Sequence, residues 1–474
     1  METKTKLQKY VLNFMGMAGL CTLLGCGSSS TAPSSMTSAA PMVMTVSDAP
    51  LSNILAAKVT ISSVSLGTAS GSSKVSVLTQ PVTVELSSLG AVQEPIEITN
   101  LAFGTYNSVT IAVSAAQVTY INSSGQVTTA TATLSQPSVT VALTPSLTVN
   151  SQGEVQLRMA FNLAQSFSIS GSTVTFTPAI NTTGAQVSSE NSGERQLEVS
   201  GQVMSISSSS ITVQSGDSGK QFAFTINSST KFPNGVTAGS IQTGSIVQVE
   251  GQTQTDGSLL ALMITPESNE NSSGQQEDGA KGVIVSVTKS SSGAITSFSM
   301  VPQESFGSSS TSTALNVAVS SSTTYGIPED AQQVGLVATV FTAAEIFPGQ
   351  SVVVSGTAGS SGTLDAQQVT LAAESIVGTL VATPQGTSPN FTFSLGLAAT
   401  SYLTTYDSLT SLNVSTSQAT EYGNGMTASS FAALAAGASV ETHGYLIKDT
   451  SGHFALYATE ISQVEAPETP ESGG

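Results

Sequence analysis

The chain has 474 residues, only 9% of them charged, with a formal net charge of −18. Lys and Arg together number 12, too few to neutralise a phosphate backbone, so nucleic acid is not an expected partner, and the same charge repels anionic lipid headgroups. The length suits about three or four domains. A composition dominated by Ser, Thr, Gly, Val and Ala, with no Trp, favours strands and turns over helices.

At the start of the chain, Lys4, Lys6 and Lys9 precede an uncharged stretch, residues 10–24. It has the length of a secretory signal and is too short to span a bilayer as a permanent helix. The stretch ends in Leu23-Leu24-Gly25-Cys26, which resembles the bacterial lipobox. That resemblance implies signal cleavage between Gly25 and Cys26 and a diacylglyceryl thioether on the Cys26 sulfur. Membrane attachment would then rest on acyl chains, at about 0.8 kcal/mol per buried methylene. Removing residues 1–25 takes away three lysines and one glutamate, which moves the formal charge from −18 to −20. It also removes Cys21, so the mature chain would hold no thiol pair for a disulfide. Residues 26–41 read as a flexible tether rich in Ser, Thr and Ala. Neither Gly27 nor Ser28 is the Asp that retains enterobacterial lipoproteins at the inner membrane. The expected location is therefore the cell envelope, with the outer membrane favoured.

Residues 42–182 alternate apolar and polar positions, as half-buried strands do. The clearest runs are Met42–Val46, Lys58–Ile61, Val82–Leu86, Ser108–Val113, Gln117–Tyr120, Ser138–Val141 and Glu154–Met159. Gly and Pro turns between them predict a β-sandwich. Val46-Ser47-Asp48-Ala49-Pro50, Val59–Leu66, Phe103-Gly104-Thr105-Tyr106 and Phe176–Ile180 together resemble the bacterial domain-of-unknown-function family 4382. No activity comes with that family. Asp48 is this segment's candidate site residue: either it caps a turn by accepting backbone N–H bonds, or it belongs to a ligand or metal site.

Residues 183–195 lose the alternation and read as a linker. Beyond them the chain repeats. Gly244–Gly251, Gly349–Gly356 and Gly437–Gly444 share their spacing and an aliphatic fourth residue. Each copy opens with a Gly two before an aliphatic (Gly201, Gly282, Gly378), carries a Thr close before an aromatic (Thr230, Thr324, Thr420) and closes with an Ala three before an aliphatic (Ala261, Ala366, Ala458). Four landmarks in one order, three times, define three homologous modules: 196–265, 280–374 and 375–464. Short strands with glycines at sharp bends predict small OB-like β-barrels, and the first module resembles the domain-of-unknown-function family 5666. The fold expected is all-β: a sandwich followed by three OB-like barrels on linkers. Residues 266–279 are expected to be an acidic linker with a solvated Glu277-Asp278 pair, and 465–474 a disordered acidic tail.

Reactive chemistry is sparse. The chain has two histidines, His443 and His453. They could serve as metal ligands or a general base, but the matching positions hold Glu250 and Ser355, and Ser258 and Thr363, which predicts outward positions tolerant of any polar residue. There is no Gly-x-Ser-x-Gly elbow. Gly216-Asp217-Ser218-Gly219-Lys220 departs from a phosphate loop in spacing and lacks the Ser or Thr after the Lys, so it is expected to be a hairpin turn. Residues 428–438, with Phe431 and Leu434 at helical spacing, predict a short helix that plugs the last barrel, or else docks a partner. No catalytic residue, metal or cofactor is expected. The leading expectation is a non-enzymatic envelope protein that binds, adheres or spaces, held to the membrane by its lipid, with a protein or glycan partner. The alternative is a glycan- or small-ligand-binding lipoprotein with a cleft lined by Tyr402, Tyr406, Tyr422 or Tyr445.

Overall fold

The alternating runs become strands in a computed structural model, which describes residues 39–49, 52–71, 73–89, 92–186, 196–233, 236–267, 277–307, 314–337, 341–423, 425–448 and 451–464. Two sheets enclose the first core. One runs Ile180–Gln186, Val155–Asn162, Ala39–Ala49, Glu94–Ala102 across its width, with its two middle strands parallel and the outer pairs antiparallel. The other is built on Ile54–Thr68 and Gly104–Ile121, flanked by Lys74–Ser76, Val82–Glu85, Val127–Thr131 and Ser138–Val149. Between them lie Met44, Ile61, Ile111, Leu157 and Phe161, all buried.

Two runs expected as separate strands, 108–113 and 117–120, form one strand of 18 residues. The pairing with Ile54–Thr68 jumps from Ile61↔Val113 to Thr60↔Ala115, leaving Ser114 as an extra residue. That bulge lets Val113 and Ala116 both point inward while Ser114 and Ala115 stay exposed. The sandwich also extends past both expected boundaries: Ala39–Ala49 starts inside the expected tether, and Ile180–Gln186 runs into the expected linker.

The three modules share one connectivity. In the first, Gln196–Ile206, Ser210–Ser215, Gln221–Thr225, Ile246–Thr253 and Leu259–Pro266 close a barrel in the order 1-2-3-5-4. The second repeats it with Asp278–Lys289, Ile295–Phe306, Leu315–Ala318, Ser351–Ala358 and Thr363–Leu371, the third strand meeting the fifth in parallel. The third repeats it with Glu374–Leu380, Asn390–Gly396, Ser411–Ser415, Ser439–Lys448 and Phe454–Gln463. Val247 and Val249 face the core and Gln248 and Glu250 do not, as a barrel wall requires. Asp278 and Glu374 open barrels two and three, both slightly earlier than the sequence boundaries at 280 and 375 suggest.

Geometry explains the landmarks. A Cβ at Gly201, Gly282 or Gly378 would stand 2.1, 2.0 or 2.6 Å from a carbonyl oxygen of the second strand or its end, so only glycine lets the first two strands cross closely. Gly251, Gly356 and Gly444 each follow a register shift in the fourth strand. The threonine is a clasp: Thr230, Thr323 and Thr420 donate through Oγ1 to the carbonyls of Ala261, Ala366 and Ala458 at 2.8, 2.8 and 2.7 Å. Each also accepts the N–H three residues upstream, from Asn227, Ser320 and Ser417. In the second barrel the clasp is Thr323, and the expected Thr324 is its exposed neighbour.

The helix predicted near the last barrel spans Ala428–Ala432, and its Phe431 is fully buried against Phe391, Phe393 and Tyr422. Gly219 closes the expected hairpin with φ +66.

The barrels do not hang as beads on linkers. The described residues form one compact unit. Gln303 Nε2 of the second barrel donates to Leu55 O of the sandwich at 3.0 Å, and Gln350 Nε2 donates to Leu446 O of the third barrel at 3.1 Å. Leu55, Ala56 and Ile121 of the sandwich share one core with the third barrel. Val43 likewise joins the core of the first.

Candidate functional site

Gly25 and Cys26 lie outside the described residues, as does the tail 465–474. Asp48 is buried in a strand opposite Phe161 rather than at an exposed turn. The four tyrosines do not line one cleft. Tyr402 is buried and donates its hydroxyl to Glu374 Oε2 at 2.6 Å. Tyr445 is buried on the third barrel and bonds Asp330 of the second. Tyr406 and Tyr422 are half-buried, packed on the third barrel's core. The aromatic ring of each went to packing because a chain with 5% aromatic residues has few others to fill its cores. Glu277 is buried, and Asp278 accepts the Ala358 N–H at 3.1 Å, so this pair is part of a barrel and not a solvated run.

His453 is exposed as expected, whereas His443 is half-buried at a domain junction. The repeat comparison misplaced it for one reason. Positions that point away from a barrel's own core meet solvent only in an isolated barrel, and here they meet another domain. Its matches confirm this: Ser355 is buried, and Glu250 is half-buried with its carboxyl pushed up to about 8 by burial and by Glu198.

His443 Nδ1 lies 2.9 Å from Ser375 Oγ, and burial pushes the Glu441 carboxyl up to about 8 while Ser375 pulls it the other way. Here a hydroxyl, an imidazole and a carboxyl group come near one another. In a nucleophilic triad the imidazole stands between the other two, but here the group that acts on Glu441 is the serine. Burial, and then the Lys281 charge, push His443 down to about 4, which makes it a weak base near neutral pH. The cavity that Ser375 lines, with Gln303, Glu374 and Tyr402, measures about 20 Å3. That volume holds about one water and no substrate.

Further buried charge lies at the junctions between the domains. Lys281 Nζ lies 3.5 Å from Glu304, and Glu97 pairs with Lys220 of the first barrel at 2.7 Å. Burial pushes Glu304 up to about 7 against the pull of Lys281, and Glu267 and Glu374 up to about 8. Sequence reasoning missed Ser375, Glu374, Glu441, Lys281 and Glu304. A usable signal existed: with 9% charged residues, a glutamate inside a strand of otherwise uncharged neighbours is retained for a contact. Among the described residues no group of His, Cys, Asp and Glu is arranged to hold a metal.

A larger cavity of about 320 Å3 opens where the sandwich meets the third barrel. Ser52, Asn162 and Ala164 form one wall, and Val377, Gly378 and Leu397 the other. Its lining carries no charged side chain.

Residues 39–178 match the family described as Domain of unknown function (DUF4382). Residues 200–265 match Domain of unknown function (DUF5666). The DUF4382 match covers the sandwich and the DUF5666 match the first barrel, in the order the motifs suggested. No curated protein matches the chain. Among solved structures, the single-stranded DNA binding protein from Thermus aquaticus aligns at 12% identity, covering 42% of this chain and 96% of its own, with a TM-score of 0.18. Drosophila Unr CSD456 aligns at 12% identity over 56% and 97%, with a TM-score of 0.13. Likenesses of that size carry no argument about fold or partner. No helix among the described residues is long and apolar enough to cross a membrane, which leaves strand-built crossings unaddressed.

Proposed function

We propose that this chain is a non-enzymatic, lipid-anchored protein of the bacterial cell envelope, whose DUF4382-like and DUF5666-like domains form one β body that binds, adheres or spaces. The observation that carries this reading is the Ser375–His443 pair, which bonds across two strands of the third barrel beside the buried Glu441 and a space for one water. Side chains that would otherwise do chemistry are tied up inside one barrel instead. The shared 1-2-3-5-4 connectivity supports reading the barrels as OB-like. The anchor rests on the Leu-Leu-Gly-Cys motif and the outer membrane on the absence of Asp after Cys26. The charge of −18 argues against nucleic acid.

Two measurements test this. Labelled fatty acid should travel with the protein and be lost in Cys26→Ala; label retained in that variant refutes the anchor. A panel of esterase, peptidase and glycosidase substrates should give no turnover, and turnover abolished by Ser375→Ala refutes the non-enzymatic reading.

The 320 Å3 cavity favours a second reading, a binding lipoprotein for small uncharged ligands, because the volume suits a small molecule. Glycan and small-molecule arrays that show no binding would retire it.

A further inference from the structure

The turn after the first barrel's second strand presses into the sandwich beside Glu94. Ser215 Oγ lies 2.9 Å from Glu94 Oε1 and 2.6 Å from Asp217 Oδ1, and it accepts the Ser218 N–H at 3.2 Å. A serine hydroxyl has one proton to give. It cannot satisfy two ionised carboxylates at once, so one of the two must carry a proton of its own. Asp217 is placed to be the ionised one, since its Oδ2 accepts the Glu85 N–H at 2.7 Å and its Oδ1 accepts the Ser218 N–H. Glu94 is 7% exposed, and among the described residues its hydrogen-bond partner at this turn is the Ser215 hydroxyl.

We propose that Glu94 is protonated in the folded protein and donates to Ser215 Oγ, whose own proton goes to Asp217, so that the docking of the first barrel on the sandwich is proton-dependent. The chain Glu94–Ser215–Asp217 then has every donor matched to an acceptor. Loss of the Glu94 proton would leave a second negative charge beside Asp217 in a buried place.

Other charges face the pair from each element packed on it. Glu304 approaches from the second barrel, with Lys281 3.5 Å from it and Glu198 and Glu267 near that lysine. Glu97, on the strand of Glu94, is neutralised by Lys220. Glu85 lies buried on the Val82–Glu85 strand of the sandwich's other sheet, with Lys58 beside it. Burial first, then the Asp217 charge, push Glu94 well above the usual carboxylate range. A folded pKa above the unfolded one means that the stabilisation is complete below the unfolded value, about 4.3, and is lost as pH rises through the folded value.

The test uses the full chain and Glu94→Gln, whose amide N–H can still donate to Ser215. Between the unfolded and the folded pKa of Glu94, the unfolding equilibrium of the wild type should shift by about tenfold more per pH unit than that of the variant. Infrared spectra at neutral pH should lose one protonated-carboxyl C=O band in E94Q. An unchanged pH slope together with an unchanged band overturns the proposal. Should E94Q fail to fold, Ser215→Ala removes the acceptor of the same proton, and a protonated-carboxyl spectrum identical to wild type would overturn it equally.

Discussion

Thr323→Ala is the sharpest probe of the repeat architecture, because the sequence points to its neighbour. Thr323 is 8% exposed; its Oγ1 donates to Ala366 O at 2.8 Å and accepts the Ser320 N–H at 2.9 Å. Two hydrogen bonds at about 0.5–1.5 kcal/mol each make the expected loss about 1–3 kcal/mol. Most of it should come from the Ala366 carbonyl, which is buried and has lost its partner, whereas Ser320 is exposed and its N–H can turn to water. Thr324 is exposed and its Oγ1 donates to Gln367 O at 3.1 Å, so Thr324→Ala should stay within about 0.5 kcal/mol of wild type. Urea unfolding of the full chain, extrapolated linearly, measures both. If Thr324→Ala cost as much as Thr323→Ala or more, the clasp would not be what the repeat preserves.

Phe431→Ala should cost about 3–5 kcal/mol, since the ring is fully buried among Phe391, Phe393 and Tyr422; calorimetry would show it, and a loss under about 1 kcal/mol would mean the helix is no plug. His443, pushed down to about 4, should keep the NMR shifts of neutral imidazole at pH values where a free histidine is half protonated, about 6.5. Its depressed pKa gives stability that is present above the unfolded value and lost as pH falls through about 4. The carboxylates act oppositely: Glu250, Glu267, Glu374 and Glu441, all pushed up to about 8, lose their contribution as pH rises toward that value. Melting temperature should therefore fall from mildly acid to alkaline pH, and a profile rising over that range would contradict the buried junction.

Much of the fold could be read because its causes are local. Alternation marks a strand wherever one face is buried, and so Met42–Val46 and Lys58–Ile61 declared themselves. The landmark glycines recur because a strand crossing at Gly201 tolerates no side chain, and that constraint acts within one module. The number and order of barrels followed from the same spacing.

Which polar residues matter was decided by distance through space. Ser375 and His443 stand 68 positions apart, Ser215 and Glu94 121, and no periodicity connects them. An outward-facing position carries the same sequence signature whether it meets water or another domain, so His443 read as surface and became interface. Composition and period fixed the strands; the packing of four β domains into one body determined which carboxylates left water, and desolvation then set their chemistry.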